Sequence, residues 1–152
     1  MKMQLAEIAK ALNSSVNMGE DKVITSVVFD SRKATPNSLF IPLDGARDGH
    51  DFVSNAMANG AEATLWKKGH EGMPTDVPVI EVEDPLTALQ NLAKYYLGKV
   101  NPTVVGITGS SGKTTTKDMV AAVLSKRFNV HKTHANFNNE IGVPVTILEM
   151  KP

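Results

Sequence analysis

Apolar residues recur at helical spacing at Leu5, Ile8 and Leu12, and a β-branched run over residues 23–29 then reads as a buried strand. Residues 38–43 form a second short apolar run, reached through a polar turn at 30–37. After a loop at 44–50, Phe52, Val53, Ala56 and Met57 mark one side of a helix ending at Gly60, where glycine suits a left-handed cap. Residues 63–66 and 78–82 read as strands. Asp84 followed by Pro85 is an N-cap with proline at the first helical position. Leu86, Leu89, Ala93, Tyr96 and Leu97 continue as the stripe of a helix ending near Gly98, and residues 99–102 read as a linker.

A new unit begins at Thr103. Residues 103–108 predict a strand, a glycine-rich turn follows, and a helix from about Lys113 turns Met119, Val120, Val123 and Leu124 inward. That order is a βα unit of a parallel sheet. A second strand is expected at 128–131, then an Asn-rich loop and another helix after Gly142-Val143-Pro144. The predicted fold class is therefore α/β: a small N-terminal α/β domain over 1–98, followed from 103 to 152 by the start of a P-loop parallel-sheet domain. One or two strands cannot bury both faces of such a sheet, so the second domain is expected to be incomplete and the chain part of a longer protein. Backbone order is expected to weaken after residue 103.

With 41% hydrophobic and 21% charged residues the composition suits a folded core. Sixteen basic and sixteen acidic residues cancel, so no overall field draws the chain to nucleic acid or an anionic membrane, and a phosphate ligand must be held locally. The absence of cysteine excludes disulfides and thiolate metal sites and agrees with a reducing compartment. The first residues form an amphipathic helical pattern containing Glu7, which is no signal peptide, and no stretch approaches the ~20 apolar residues of a membrane span. A cytoplasmic monomer is expected.

The strongest chemical signal is Gly106-Ile107-Thr108-Gly109-Ser110-Ser111-Gly112-Lys113-Thr114-Thr115, between a hydrophobic run and a helix start. Glycines there let the backbone turn tightly, so that N–H groups and the positive end of the helix dipole meet phosphate oxygens. Lys113 is placed to reach the β and γ phosphates of ATP and the Thr114 hydroxyl to hold Mg²⁺. The strict P-loop pattern asks for glycine at 107, where this chain has isoleucine; glycine falls instead at 106, 109 and 112. The alternative is a plain glycine-rich turn with an exposed lysine.

That glycine spacing resembles the ATP-binding signature of the Mur ligases. Asp30-Ser31-Arg32, residues 39–45 and Asp48-Gly49-His50-Asp51-Phe52 resemble the first, UDP-binding domain of the MurE and MurF branches. Asn136-Phe137-Asn138-Asn139-Glu140-Ile141-Gly142-Val143-Pro144 is similar to the MurF form of the segment after the P-loop. The resemblance spans nearly the whole chain. It implies an ATP- and Mg²⁺-dependent amide-bond ligase of peptidoglycan precursor synthesis, joining D-alanyl-D-alanine to UDP-N-acetylmuramoyl-tripeptide through an acyl phosphate. It also implies that Gly109, Ser110, Ser111, Gly112, Lys113, Thr114, Thr115, Asn138 and Asn139 bind ATP. Lys113 and Thr114 then act in catalysis, and Ser31, Arg32, Gly45 and Asp48 contact the UDP substrate. This chain alone is expected to lack ligase activity. A MurE-type ligase adding one amino acid, a non-catalytic nucleotide-sugar module and a generic P-loop NTPase remain the alternatives.

From the residues alone, Ser31 beside Arg32 can bind a uracil edge or diphosphate oxygens but reads more simply as a turn with a solvated charge, and the loop from Gly45 to His50 reads equally as a wrap for a nucleotide sugar or a plain connection. Asn138 and Asn139 read equally as caps before a Pro-led helix. His50 has no partner histidine or carboxylate at metal-ligand spacing and is assigned no metal. Trp66, Tyr95 and Tyr96 read as packing residues, and Glu81 and Glu83 as the solvent face of a strand.

Overall fold

The computed structural model describes residues 1–134 and 139–152. Four short strands make one parallel sheet: β3 (Ser26–Val28), β4 (Ser38–Phe40), β5 (Ala63–Lys67) and β6 (Val79–Val82), paired in that order. Because side chains alternate across a strand, this sheet separates two apolar layers. Leu39, Ile41, Leu65, Ile80 and Val82 face one core, and Phe40, Trp66 and Val79 face the other.

The first core is covered by helices. Two of them are α1 (Leu5–Ala11), entered from β1 (Met3–Gln4), and α3 (Pro85–Val100). They bury Leu5, Ile8, Leu89, Leu92 and Tyr96 completely or nearly so. Asp84 caps α3 as expected, accepting from the Thr87 N–H at 2.9 Å. The second core lies under α2 (Val53–Ala58), which follows a 3₁₀ turn at Gly49–Phe52 and is ended by Gly60 at φ 115°.

Several boundaries differ from the sequence reading. The run over 23–29 is divided: β2 (Val23–Ile24) pairs antiparallel with β1, and β3 pairs parallel with β4. A hydrophobic run carries no information about which partner each half will find. Helix α3 continues past Gly98 through Val100 into the expected linker, and Asn101 at φ 50° caps it, since asparagine tolerates the left-handed region. Residues 103–108 and 128–131 form no strand, for among the described residues no strand pairs with them.

Helix α4 (Lys113–Leu124) forms, but of its expected inward residues Met119 is 65% and Val123 68% exposed. Only Ala121 is buried on that helix. The sheet that this apolar face anticipates is not built by the described residues. Helix α5 (Gly142–Leu148) starts slightly before its expected position and packs on α3, adding Val145 and Leu148 to the first core. The Tyr96 hydroxyl donates to the Met150 carbonyl at 2.6 Å, and the terminal ammonium of Met1 donates to the Leu148 carbonyl at 3.0 Å.

Candidate functional site

Two groups of chemically distinctive residues stand apart in the sequence, and each has its own local cause. The first is the turn before α4. Gly112 occupies the N-cap position of α4 at φ 74°, a left-handed conformation that costs a residue with a Cβ ~1–2 kcal/mol. The N–H of Thr116 closes on the Gly112 carbonyl at 2.9 Å, so the amides of Lys113, Thr114 and Thr115 start the helix without such partners among the described residues. A Cβ added at Gly106 or Gly112 would meet no atom within 4 Å. The turn is thus an open cradle of free N–H groups with the exposed Lys113, Thr114 and Thr115 on its rim. That donor set fits a nucleotide phosphate, and the Thr114 hydroxyl fits a hard cation such as Mg²⁺. Gly109, Ser110 and Ser111 complete the same exposed turn.

Asn139 lies beyond that turn. Its side-chain oxygen accepts from the N–H groups of Ile141 and Gly142, at 3.2 and 2.7 Å, and so caps the start of α5. Asn138 lies outside the described residues, as do Asn136 and Phe137.

The second group surrounds α2, which packs on both 3₁₀ turns, Ser31–Lys33 and Gly49–Phe52. Ser31 is buried, and Asn59 donates to its carbonyl at 2.9 Å. The Ser31 hydroxyl has no partner among the described residues. Asp30 caps this turn through the Arg32 N–H at 3.0 Å and holds the Arg32 guanidinium through two oxygens, at 3.0 and 2.8 Å. Hydrogen bonds from Arg32 bring the Asp30 carboxyl down to about 2, and Arg32 remains a solvated cation that carries its own counterion.

The loop at 44–50 folds back tightly. A Cβ at Gly49 would lie 2.4 Å from the Leu43 carbonyl oxygen, so only glycine permits the approach, whereas Gly45 faces open space. Asp48 caps the second turn through the His50 N–H at 3.0 Å. The same carboxylate binds two imidazoles: Nδ1 of the buried His50 at 2.9 Å and Nε2 of His70 at 2.5 Å. The absence of partners inferred for His50 from sequence spacing is therefore corrected, because Asp48 is only two residues away and the fold brings His70 across from the end of β5. Trp66 is buried as expected, and its Nε1–H donates to the His70 carbonyl at 3.0 Å. The sequence offered one weak signal for this cluster, a histidine three residues beyond the strand that carries the lone tryptophan.

Tyr96 packs as expected, but Tyr95 is 41% exposed and donates to Glu7 at 2.9 Å. Glu83 lies on the surface beside Lys68, while Glu81 is half-buried. No helix among the described residues is long and apolar enough to cross a membrane.

Both groups lie within segments that match known proteins. Residues 23–97 match the Mur ligase family, catalytic domain, and residues 107–152 match the Mur ligase middle domain. The chain is 52% identical over 132 residues to the UDP-N-acetylmuramoyl-tripeptide--D-alanyl-D-alanine ligase of Bacillus subtilis (strain 168), covering 86% of this chain and 29% of that one. A crystal structure of MurF from Acinetobacter baumannii superposes with a TM-score of 0.90 at 29% identity, over 99% of this chain and 33% of that one. The MurF ligase from Thermotoga maritima, solved in complex with ADP, gives a TM-score of 0.73 at 37% identity over 84% of this chain and 29% of that one. The chain thus spans about a third of the length of these relatives. The divided glycine turn, the two matched segments and the shared fold place the chain in the Mur ligase family.

Proposed function

We propose that this chain supplies the UDP-substrate site and the ATP-phosphate turn of a cytoplasmic, monomeric MurF-type ligase. Such an enzyme joins D-alanyl-D-alanine to UDP-N-acetylmuramoyl-tripeptide. In this reading residues 1–98 hold the UDP end of the precursor through Ser31, Arg32 and the loop bearing Gly45 and Asp48. Residues 103–152 open the ATP-binding domain. The observation that carries the proposal is the open turn ahead of α4, with Gly112 left-handed and Lys113 exposed at the helix start.

ATP supplies its γ-phosphoryl group to the terminal carboxylate of the precursor, leaving ADP and an acyl phosphate, and the incoming amine attacks the acyl carbon and expels inorganic phosphate as the amide forms. The chain's own part is electrostatic: amides at 113–115 and Lys113 hold phosphate oxygens, and the Thr114 hydroxyl is the ligand offered to Mg²⁺. Gly109, Ser110, Ser111, Asn138 and Asn139 complete the nucleotide contacts in this proposal. The chain by itself binds both nucleotides and joins nothing.

A chimera tests it. This chain replaces the matching segment of the Bacillus subtilis relative, and phosphate release from Mg-ATP is followed with UDP-N-acetylmuramoyl-tripeptide present. The expected result is release that requires D-alanyl-D-alanine and is lost in Lys113→Ala. Release supported equally by a single amino acid indicates a MurE-type acceptor, and none with either acceptor rejects the reading.

A further inference from the structure

Asp48, His50 and His70 bring three potential ligand atoms within 4.8 Å of one another, which first suggests a metal. Their hydrogen bonds favour protons instead. His50 Nε2 accepts from the Lys67 N–H at 3.1 Å, so its proton sits on Nδ1 and points at Asp48. A cation on Nδ1 would drive that proton to Nε2, against the Lys67 N–H.

His70 is in the opposite situation. Its Nε2 faces Asp48 at 2.5 Å and its Nδ1 faces the Glu71 carbonyl at 2.8 Å, and only the imidazolium donates to both. The two rings stack with centroids 3.9 Å apart, and Trp66 meets both edge-on, at 4.6 and 5.1 Å. One carboxylate on the 44–50 loop is thus gripped from two sides, by a neutral histidine within the loop and a cationic one beyond β5.

We propose that His70 is a positioning residue for the substrate loop: bonded to Asp48 as an imidazolium, it fixes residues 44–50 in the shape that receives the nucleotide-sugar end of the precursor. The proposal rests on the functional reading above. Asp48 then acts through the loop, because both of its oxygens are already engaged within the chain.

A pH dependence follows. The hydrogen bond that His70 donates to Asp48, then the one it donates to the Glu71 carbonyl, raises its pKa above the ordinary value, with Asp51 adding a smaller pull in the same direction. Asp48 is shifted down, by His70 first and then by His50. A group with a raised pKa stabilises the fold fully below its unfolded value and loses that contribution as pH rises through the folded one. The clamp is therefore closed below the ordinary imidazole range and opens as pH rises through the raised, folded-state value.

Trp66 is the only tryptophan, so its fluorescence reports the clamp independently of any ligand. An imidazolium in contact with an indole quenches it, so emission should step up as His70 loses its proton. Calorimetric titration with UDP-N-acetylmuramoyl-tripeptide from about pH 6.5 to about pH 9 should show affinity falling on the order of tenfold, with the same midpoint. His70→Gln retains a neutral donor with no proton to lose, and should flatten both curves. An absent fluorescence step overturns the clamp. A step without any change in affinity overturns the positioning role and leaves the functional reading intact. A step in a chain that binds no precursor at any pH rejects that reading and the positioning role with it.

Discussion

The sheet with its helices and the segment at 103–134 both carry apolar runs, but the first packs its own away while the second leaves most of its own exposed. Leu89, Leu92 and Tyr96 of α3 lie buried among Leu5, Ile8, Leu65 and Ile80. Val104, Val105, Met119, Val123 and Phe128 all remain exposed. Polar contacts tether that segment instead: Lys117 donates to the Thr133 carbonyl at 2.7 Å, Lys132 pairs with Asp118 at 2.8 Å, and His131 Nε2 meets the Thr146 carbonyl at 2.7 Å. A few polar contacts of this kind, the Lys132–Asp118 pair exposed and the other two half-buried, add little stability, whereas burial of apolar area dominates it. The comparison teaches that the glycine turn holds its local shape although, among the described residues, no layer buries the helix that follows it.

The largest expected effect is in amide hydrogen exchange. Core elements open only with global unfolding, while a 12-residue helix packed on one face by almost nothing opens locally. Amides in β4, β5 and α3 should exchange on the order of 10³ times more slowly than those of α4. Helix α5 sharpens the division. Although it lies beyond the turn in sequence, its Val145 and Leu148 belong to the first core, so residues 145–148 should be protected together with α3. Equal protection of α4 and α3 would erase the contrast between the regions.

Truncation mutants come next in size. Leu89→Ala removes a fully buried side chain, and such changes cost about 2–5 kcal/mol, read as a lower denaturation midpoint with an unchanged slope. Val123→Ala on α4 should stay within about 0.5 kcal/mol of the parent, as surface changes do. A cost of several kcal/mol at Val123 would mean that α4 is covered in solution.

Much of this division was legible in the residues. The apolar runs over 38–43 and 63–66 mark β4 and β5, whose two faces the structure buries, and Asp84-Pro85 fixes the start of α3 to the residue. The glycine turn and the helix after it were legible because their signal is local: glycine, lysine and a helix start follow one another in sequence. What stayed hidden depends on partners. Nothing in residues 23–29 says that they serve two sheets, and the apolar stripe of α4 reads identically whether or not a sheet covers it. The Asp48 clamp was equally invisible, because His70 reaches Asp48 only through the crossover that places the end of β5 beside the loop. Spacing along the chain cannot report a contact made across 22 residues.

The smallest stability effect separates local shape from global packing. Gly112 holds φ 74° in open space, so Gly112→Ala meets no clash and incurs only the cost of a left-handed alanine, ~1–2 kcal/mol. Because α4 contributes almost nothing to the core, that cost should fall on the turn alone. The melting temperature should move by less than about 2 °C, well below the ~2–4 °C per kcal/mol expected of a change felt by the whole cooperative unit of a chain this size. ADP affinity should drop about tenfold, since the cradle must be rebuilt each time a phosphate binds. A large fall in melting temperature with ADP affinity preserved would show that the turn supports the fold and does not serve the nucleotide.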